Sequence, residues 1–374
     1  MRLPGFVGPS NVLSSTLEDC ELSINVLPEH PGVGTPKDEG WLPRRPGLRF
    51  LFSVGTGRCS GFFEINGRAF GVSGTNFFEF FVGGTFTIWG TVAFDVNCET
   101  TMCSGGTASD QVMLIAGFTG YVFTLSTNTL AQITDGDFPI NPFMCEFFAG
   151  YYLTFTVDTR SIYWSALEDA TSWDPLDVIE RSWAGDNITG IKRNGTHIWV
   201  IGNRTSEVLY LNGGIEVFAP AQESLIEHGG IAPFSIIRLP QGIACLDYDE
   251  RGVGQVVIFK GLQPDPTSTY AINLEQQQQA GVLQWGVASA IQMNGHLWYV
   301  LMNPRFDFRL TPVFDITEGL WHHWAHWNTT TCQWVPWRGN THVSAFQKHY
   351  VGDRLSGAVY ELSMDTLTDE LADV

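Results

Sequence analysis

Residues 151–213 read YYLTFTVDTRSIYWSALEDATSWDPLDVIERSWAGDNITGIKRNGTHIWVIGNRTSEVLYLNG. Tyr152–Val157 and His197–Gly202 are read as runs with the period-2 pattern of half-buried strands. Each run ends in a turn rich in Asp, Arg, Asn or Thr. A second aromatic run follows each turn, Ser161–Ser165 and Glu207–Leu211. The stretch is expected to form two consecutive antiparallel hairpins, joined by a polar connector that carries Trp173. The same unit recurs on both sides, so the chain reads as an array.

Upstream lie Phe62–Phe81, with Asn66-Gly67 at a tight hairpin turn, and Val112–Leu125. Downstream lie Ser235–Gly261, Ala288–Trp327 and Ser344–Leu362. Corresponding turns fall near Gly67, Gly117, Gly150, Gly195, Gly242, Gly295 and His349; most intervals are 45 to 54 residues and one is 33. A four-stranded propeller blade needs roughly 40–50 residues. The run VFDITEGLW, 313–321, has the form of an outer blade turn: an apolar strand ends in Asp-x-Thr-x-Gly and Trp opens the next. A sandwich would not hold one period for so long, and a solenoid would show a shorter, stricter repeat. The fold class is therefore all-β, a β-propeller of seven blades by this count. Six is the alternative, because the second unit is poorly patterned.

The propeller is expected over 47–374. Residues 1–46 differ: they hold seven of the 18 prolines and five glycines around one alternating strand, Glu21–Leu27. Proline fixes φ and removes a backbone donor, so this segment is expected to be an extended arm lying on the domain or on a neighbouring subunit. Between the fifth and sixth units, Leu262–Leu283 contains four consecutive Gln. It reads as a long surface loop with a short helical turn, or as a loop reaching a neighbour.

The net charge is −19, from 39 acidic against 20 basic residues, of which four are Lys. That balance argues against a protein that grips nucleic acid through a clustered basic face. Seven scattered Cys argue for reduced thiols, and no run approaches the ~18 apolar residues of a membrane span.

Few residues suggest chemistry. Cys98 and Cys103 lack metal-ligand spacing. His322, His323 and His326 would share a metal only on a helix. LWHHWAHW alternates like a strand, which places His322 and His323 on opposite faces and His322 about 13 Å from His326 at ~3.3 Å per residue. Glu168 and Asp169, with Asp247, Asp249 and Glu250, could be imagined as glycosidase carboxylates. SALEDATSW has some likeness to the turn-stabilising Ser-x-Asp boxes of sialidase propellers. No phosphate loop or nucleophile elbow is present. The chain is read as not an enzyme, with no cofactor and no metal.

Several segments resemble a known family. They are SALEDATSWDPLDV at 165–178, DNITGI at 186–191, IWVIGNRTSEVLYLNGG at 198–214 and ESLIEHGGIAPFSI at 223–236. LEDCELSINVLPE at 17–29 and RRPGL at 44–48 extend the likeness to the N-terminus. Together they resemble the tail hub proteins of short-tailed bacteriophages, the tail accessory factors also called packaged-DNA stabilisation proteins. The resemblance implies structural motif positions at Glu168, Asp169, Trp173, Asp174, Gly202, Thr205 and Glu207; Arg44 and Arg45, at the end of the arm, are the candidate subunit or portal contact. It implies a homo-oligomeric ring, a hexamer, below the portal and adaptor proteins. Such a ring extends the DNA channel, helps retain packaged DNA until ejection, and is closed by a tail needle, spike or fibre. DNA would pass without specific binding and without membrane insertion by this chain. The location implied is the virion tail, assembled in the host cytoplasm. It also implies a further β domain after the repeats, which the sequence to Val374 does not contain. The alternative from another class is a propeller-fold carbohydrate-binding protein or glycosidase acting on host polysaccharide.

Overall fold

The computed structural model describes residues 22–29, 42–106, 109–181, 184–214, 216–248, 252, 254–277, 281–303 and 310–371. Its strands form seven antiparallel sheets, six of four strands and one of five, which settles the blade count at seven. Blades one to six span 59–91, 101–132, 142–180, 188–220, 237–266 and 287–336. Blade seven combines Gly339–Ala345, Lys348–Asp353 and Ala358–Ser363 with Gly47–Ser53 as its outer strand. The first strand in the sequence therefore closes the last blade, and the repeat begins at Cys59 rather than at Gly47. Inner strands touch in sequence around the ring, and Gly339–Ala345 meets Cys59–Ile65 to complete it.

Chain direction alternates strand by strand. Turns joining strands one to two and three to four share one face, the turn face. Turns joining two to three share the other with the links between blades, the link face.

Gly117 breaks the expected register. It joins Gln111–Ala116 to Thr119–Thr124, the second and third strands of blade two, whereas Gly67, Gly150, Gly195, Gly242, Gly295 and His349 lie at first-to-second turns. The single short interval comes from that offset. Blade two has an ordinary four-stranded sheet whose inner strand, Thr101–Ser104, is only four residues long.

The connector between the two hairpins is itself a strand. Asp169–Glu180 is the outer strand of blade three, mostly exposed on both faces, which is why its sequence is polar. Leu262–Leu283 is likewise more than a loop. Gln263–Pro266 completes blade five, and the helix Tyr270–Gln277 places Ile272 in the core between blades five and six, with Leu283 beside it.

Most of the N-terminal arm lies outside the described residues. The described part packs on its own chain. Ile24 bridges His323 in parallel, Val26 bridges Arg44, and Leu27 joins the core of Leu48, Trp298 and Trp324. The Asn25 amide accepts from the Ala325 N–H (2.9 Å) and donates to its carbonyl (3.0 Å), so it stands in for a strand neighbour.

Candidate functional site

The motif residues of blades three and four build two fastenings. The first is the hairpin carrying SALEDATSW. Glu168 holds φ at 57° at its tip, and its N–H donates to the Gly150 carbonyl (2.7 Å). Asp169 Oδ1 accepts from the Thr171 N–H (2.9 Å) and hydroxyl (2.7 Å), and from Gln111 Nε2 of blade two (3.2 Å). Partial burial pushes this carboxyl up, but those hydrogen bonds hold it below the usual carboxylate range. Trp173 is buried: Nε1 donates to Ala170 O (2.8 Å), its N–H reaches Asp135 Oδ2 (3.0 Å), and its ring meets Phe138 edge-on at 4.9 Å. Asp135 and Phe138 belong to the link entering blade three, so the outer edge of this blade is pinned to blade two's exit. Asp174 is exposed and caps the Leu176 N–H at 2.9 Å.

The second fastening is a buried ion cluster on the link face. Arg181 Nε donates to Glu207, Nη1 lies 3.3 Å from Asp186 Oδ1, and Nη2 donates to the Thr205 hydroxyl (2.9 Å) and carbonyl (3.2 Å). Asp186 also accepts from the Thr205 hydroxyl (2.6 Å) and from the Arg204 (2.9 Å) and Thr205 (3.1 Å) N–H groups. Burial raises that carboxyl, and these donors with Arg181 bring it below its ordinary value. Gly202 is required by close approach, since a Cβ there would collide with the Arg181 guanidinium and the Asp186 carboxylate. Gly202, Thr205 and Glu207 thus meet around Arg181, which the sequence reading missed. Its only signal was a basic residue and an acidic one at the two ends of one short link.

The same device recurs. Arg58 pairs with Glu99, whose other oxygen accepts from Asn340 Nδ2 (3.0 Å), tying blade one to blades two and seven. Arg338 pairs with Asp353 (2.5 Å), which also accepts from the Tyr360 hydroxyl (2.7 Å). Arg44 and Arg45, expected at a subunit or portal contact, each make contacts within the chain. Arg45 is buried against Asp369 (2.6 Å), and Arg44 donates to the carbonyls of Met364 and Thr366. Both clamp the C-terminal segment over the strand that closes the ring.

His322 and His323 do face opposite ways on the strand Leu320–Asn328. Trp324 Nε1 donates to His322 Nε2 (3.0 Å), and His323 Nε2 meets Glu275 at 3.0 Å. Among the described residues, no group of three or more His, Cys, Asp or Glu is placed to hold a metal. Burial, with His323 and His296 nearby, brings the His322 imidazole down to about 3 from the ordinary 6.5. The folded state keeps the ring neutral where the unfolded chain protonates it, so stability is expected to fall as pH drops from 6.5 towards 3. The slope from this residue is at most about 1.4 kcal/mol per pH unit. Urea midpoints across that window should fall more steeply for the wild type than for His322→Gln; equal slopes would remove His322 from the account.

The imagined glycosidase carboxylates do not converge. Glu168 and Asp169 lie on the turn face of blade three, whereas Asp247 ends the second strand of blade five on the link face. Asp247 is pushed up by burial and held by His228 Nδ1 at 2.8 Å. Asp249 and Glu250 lie outside the described residues. Cys98 and Cys103 are both buried, and burial pushes the Cys98 thiol up to about 12. No helix among the described residues is long and apolar enough to cross a membrane.

Comparison with known proteins bears on the whole ring. The pattern of a family described as "Bacteriophage P22 Gp10, beta-propeller" matches residues 20–367. No curated protein sequence matches the chain. Among solved structures, the extracellular domain of the BT4673 one-component system of B. thetaiotaomicron superposes with a TM-score of 0.54 at 11% identity. That match covers 85% of this chain and 40% of the other, so the chain spans about two fifths of that protein. The N-terminal domain of Nup159 superposes with a TM-score of 0.50 at 10% identity, over 91% of this chain and 98% of that one. At such identities these likenesses concern the propeller fold alone.

Proposed function

We propose, from the premise that the chain belongs to the Bacteriophage P22 Gp10 β-propeller family, that it is a structural hub of a short phage tail. Identical subunits, six in number, form a ring below the portal and its adaptor. The ring extends the DNA channel and retains the packaged genome until ejection, with a needle, spike or fibre closing it below. The observation that carries this reading is the extent of the family match, which runs through all seven blades.

Two features support it. Asp169, Trp173, Gly202, Thr205 and Glu207 hold blades and their links together, which favours a rigid body. The charge of −19 suits a wall past which DNA moves: an acidic excess of 39 to 20 disfavours the counterion-releasing grip on phosphates that would stall ejection. Closure of the tube, rather than attraction, then retains the genome. The role is non-enzymatic. Mixing the purified chain with its portal–adaptor complex tests this, since an added ring of copies should appear by electron microscopy.

A further inference from the structure

Among the described residues, blade six alone carries a fifth strand. Its outer strand, Leu320–Asn328, pairs with Thr311–Asp315 over its first half and with Gln333–Pro336 over its second. The second half leaves the sheet at the link face as a two-stranded ribbon. Its turn is stiff: Asn328 Oδ1 accepts from the N–H groups of Thr330 (2.9 Å) and Thr331 (3.1 Å), and Cys332 takes a left-handed φ of 51°. Trp327 and Trp334 stand directly opposite on it, with ring centroids 5.2 Å apart, and each is 43% exposed. From Trp321 to Trp337 there is no Asp, Glu, Lys or Arg.

We propose that this ribbon is a contact between copies of the chain, with the Trp327–Trp334 pair seated on the link face of a second copy. Buried tryptophans dominate interface energetics, and a ribbon already held by its turn loses little freedom on docking. Charge selects the occupant. Copies bearing −19 each repel one another, so their contact has to form where carboxylates are sparse. A cationic partner would be drawn to the carboxylates elsewhere and gain nothing from this ribbon. The link face also supplies a receiver. Phe94 and Val96 on the link from blade one to blade two are exposed, as is Leu355 on the blade-seven turn. The acid between the first two, Asp95, is occupied in capping the Asn97 N–H at 2.6 Å. A projection at blade six and a receiver near blade one are different patches of one surface, the arrangement of a heterologous contact that can close into a ring.

This inference rests on the ring reading but fails separately from it. Cys332, at the ribbon's turn, is the one exposed thiol among the described cysteines and serves as a probe. Its alkylation by a maleimide, followed by mass spectrometry, should slow markedly when the full-length chain assembles alone or on the portal. Trp327→Ala/Trp334→Ala should weaken association about a hundredfold in sedimentation while leaving the thermal midpoint near that of the wild type, because both side chains lie outside the blade cores. If assembled wild-type protein alkylates at Cys332 as fast as monomer, the ribbon is not the contact and the ring reading stands. If the double variant associates like the wild type, the inference is likewise overturned. Wild-type chain that stays monomeric alone and with the portal would overturn both readings.

Discussion

A chain that begins at Val54 is expected not to form the closed ring. Gly47–Ser53 pairs along the whole of Ala358–Ser363, and no other strand among the described residues flanks that edge. Its loss strips Leu48 from the core of blades six and seven and Phe52 from that of blades seven and one. Each such side chain contributes roughly 1.5–3 kcal/mol on burial. Also lost are the Arg45–Asp369 pair and a row of strand hydrogen bonds. The sum reaches much of the 5–15 kcal/mol that separates a typical folded domain from its unfolded chain. The exposed edge would further invite pairing between chains. Size exclusion and near-ultraviolet circular dichroism should show aggregated or loosely packed protein. Attaching 42–54 after Leu371 through a flexible linker should restore folding, because the C-terminal segment already lies beside this strand: the Glu370 N–H donates to Leu48 O at 2.7 Å. A soluble, cooperatively unfolding chain without 1–53 would contradict the closure.

Glu207→Ala is expected to destabilise the protein by about 3–5 kcal/mol, the usual cost of leaving a buried charge without its partner. Arg181 and Glu207 are both buried, and the guanidinium would keep Asp186 and Thr205 but lose its innermost carboxylate. Joint replacement by apolar residues, Arg181→Met with Glu207→Leu, should cost less than the single change because it removes both desolvated charges. Urea unfolding of the three proteins measures the difference. A single variant within about 1 kcal/mol of the wild type would mean that the cluster is solvated rather than buried.

The legible parts of this fold are those that repeat locally. His197–Gly202 was legible as a strand but is buried on both faces rather than half-buried, because Ile198 and Val200 pack towards blade three and Trp199 and Ile201 towards blade five. VFDITEGLW marks its turn because Asp315 Oδ1 accepts from the Thr317 (3.0 Å) and Glu318 (3.2 Å) N–H groups. Gly117 falls out of register because the short inner strand Thr101–Ser104 has no alternation to count, and the first visible turn of blade two is its second. Asp169–Glu180 was missed as a strand because an outer edge exposed on both sides has no apolar period. Ring closure pairs residues some 300 positions apart, and no local pattern encodes that. The motif positions came from resemblance, but Gly202, Thr205 and Glu207 depend on Arg181, whose role shows only when Asp186, Thr205 and Glu207 surround it. The partner of Arg45 was illegible for a related reason: Asp369 lies 324 positions away in the sequence and meets it only in the fold.

The hub reading meets its most direct test in the mass of the complex formed with the portal. Native mass spectrometry of the purified portal–adaptor assembly, before and after addition of this chain, counts the copies bound. The account predicts a saturating addition of six subunits, with no such closed addition to an unrelated ring of similar charge. A chain that remains unbound at saturating concentration, or that binds as single copies without closing, would contradict it.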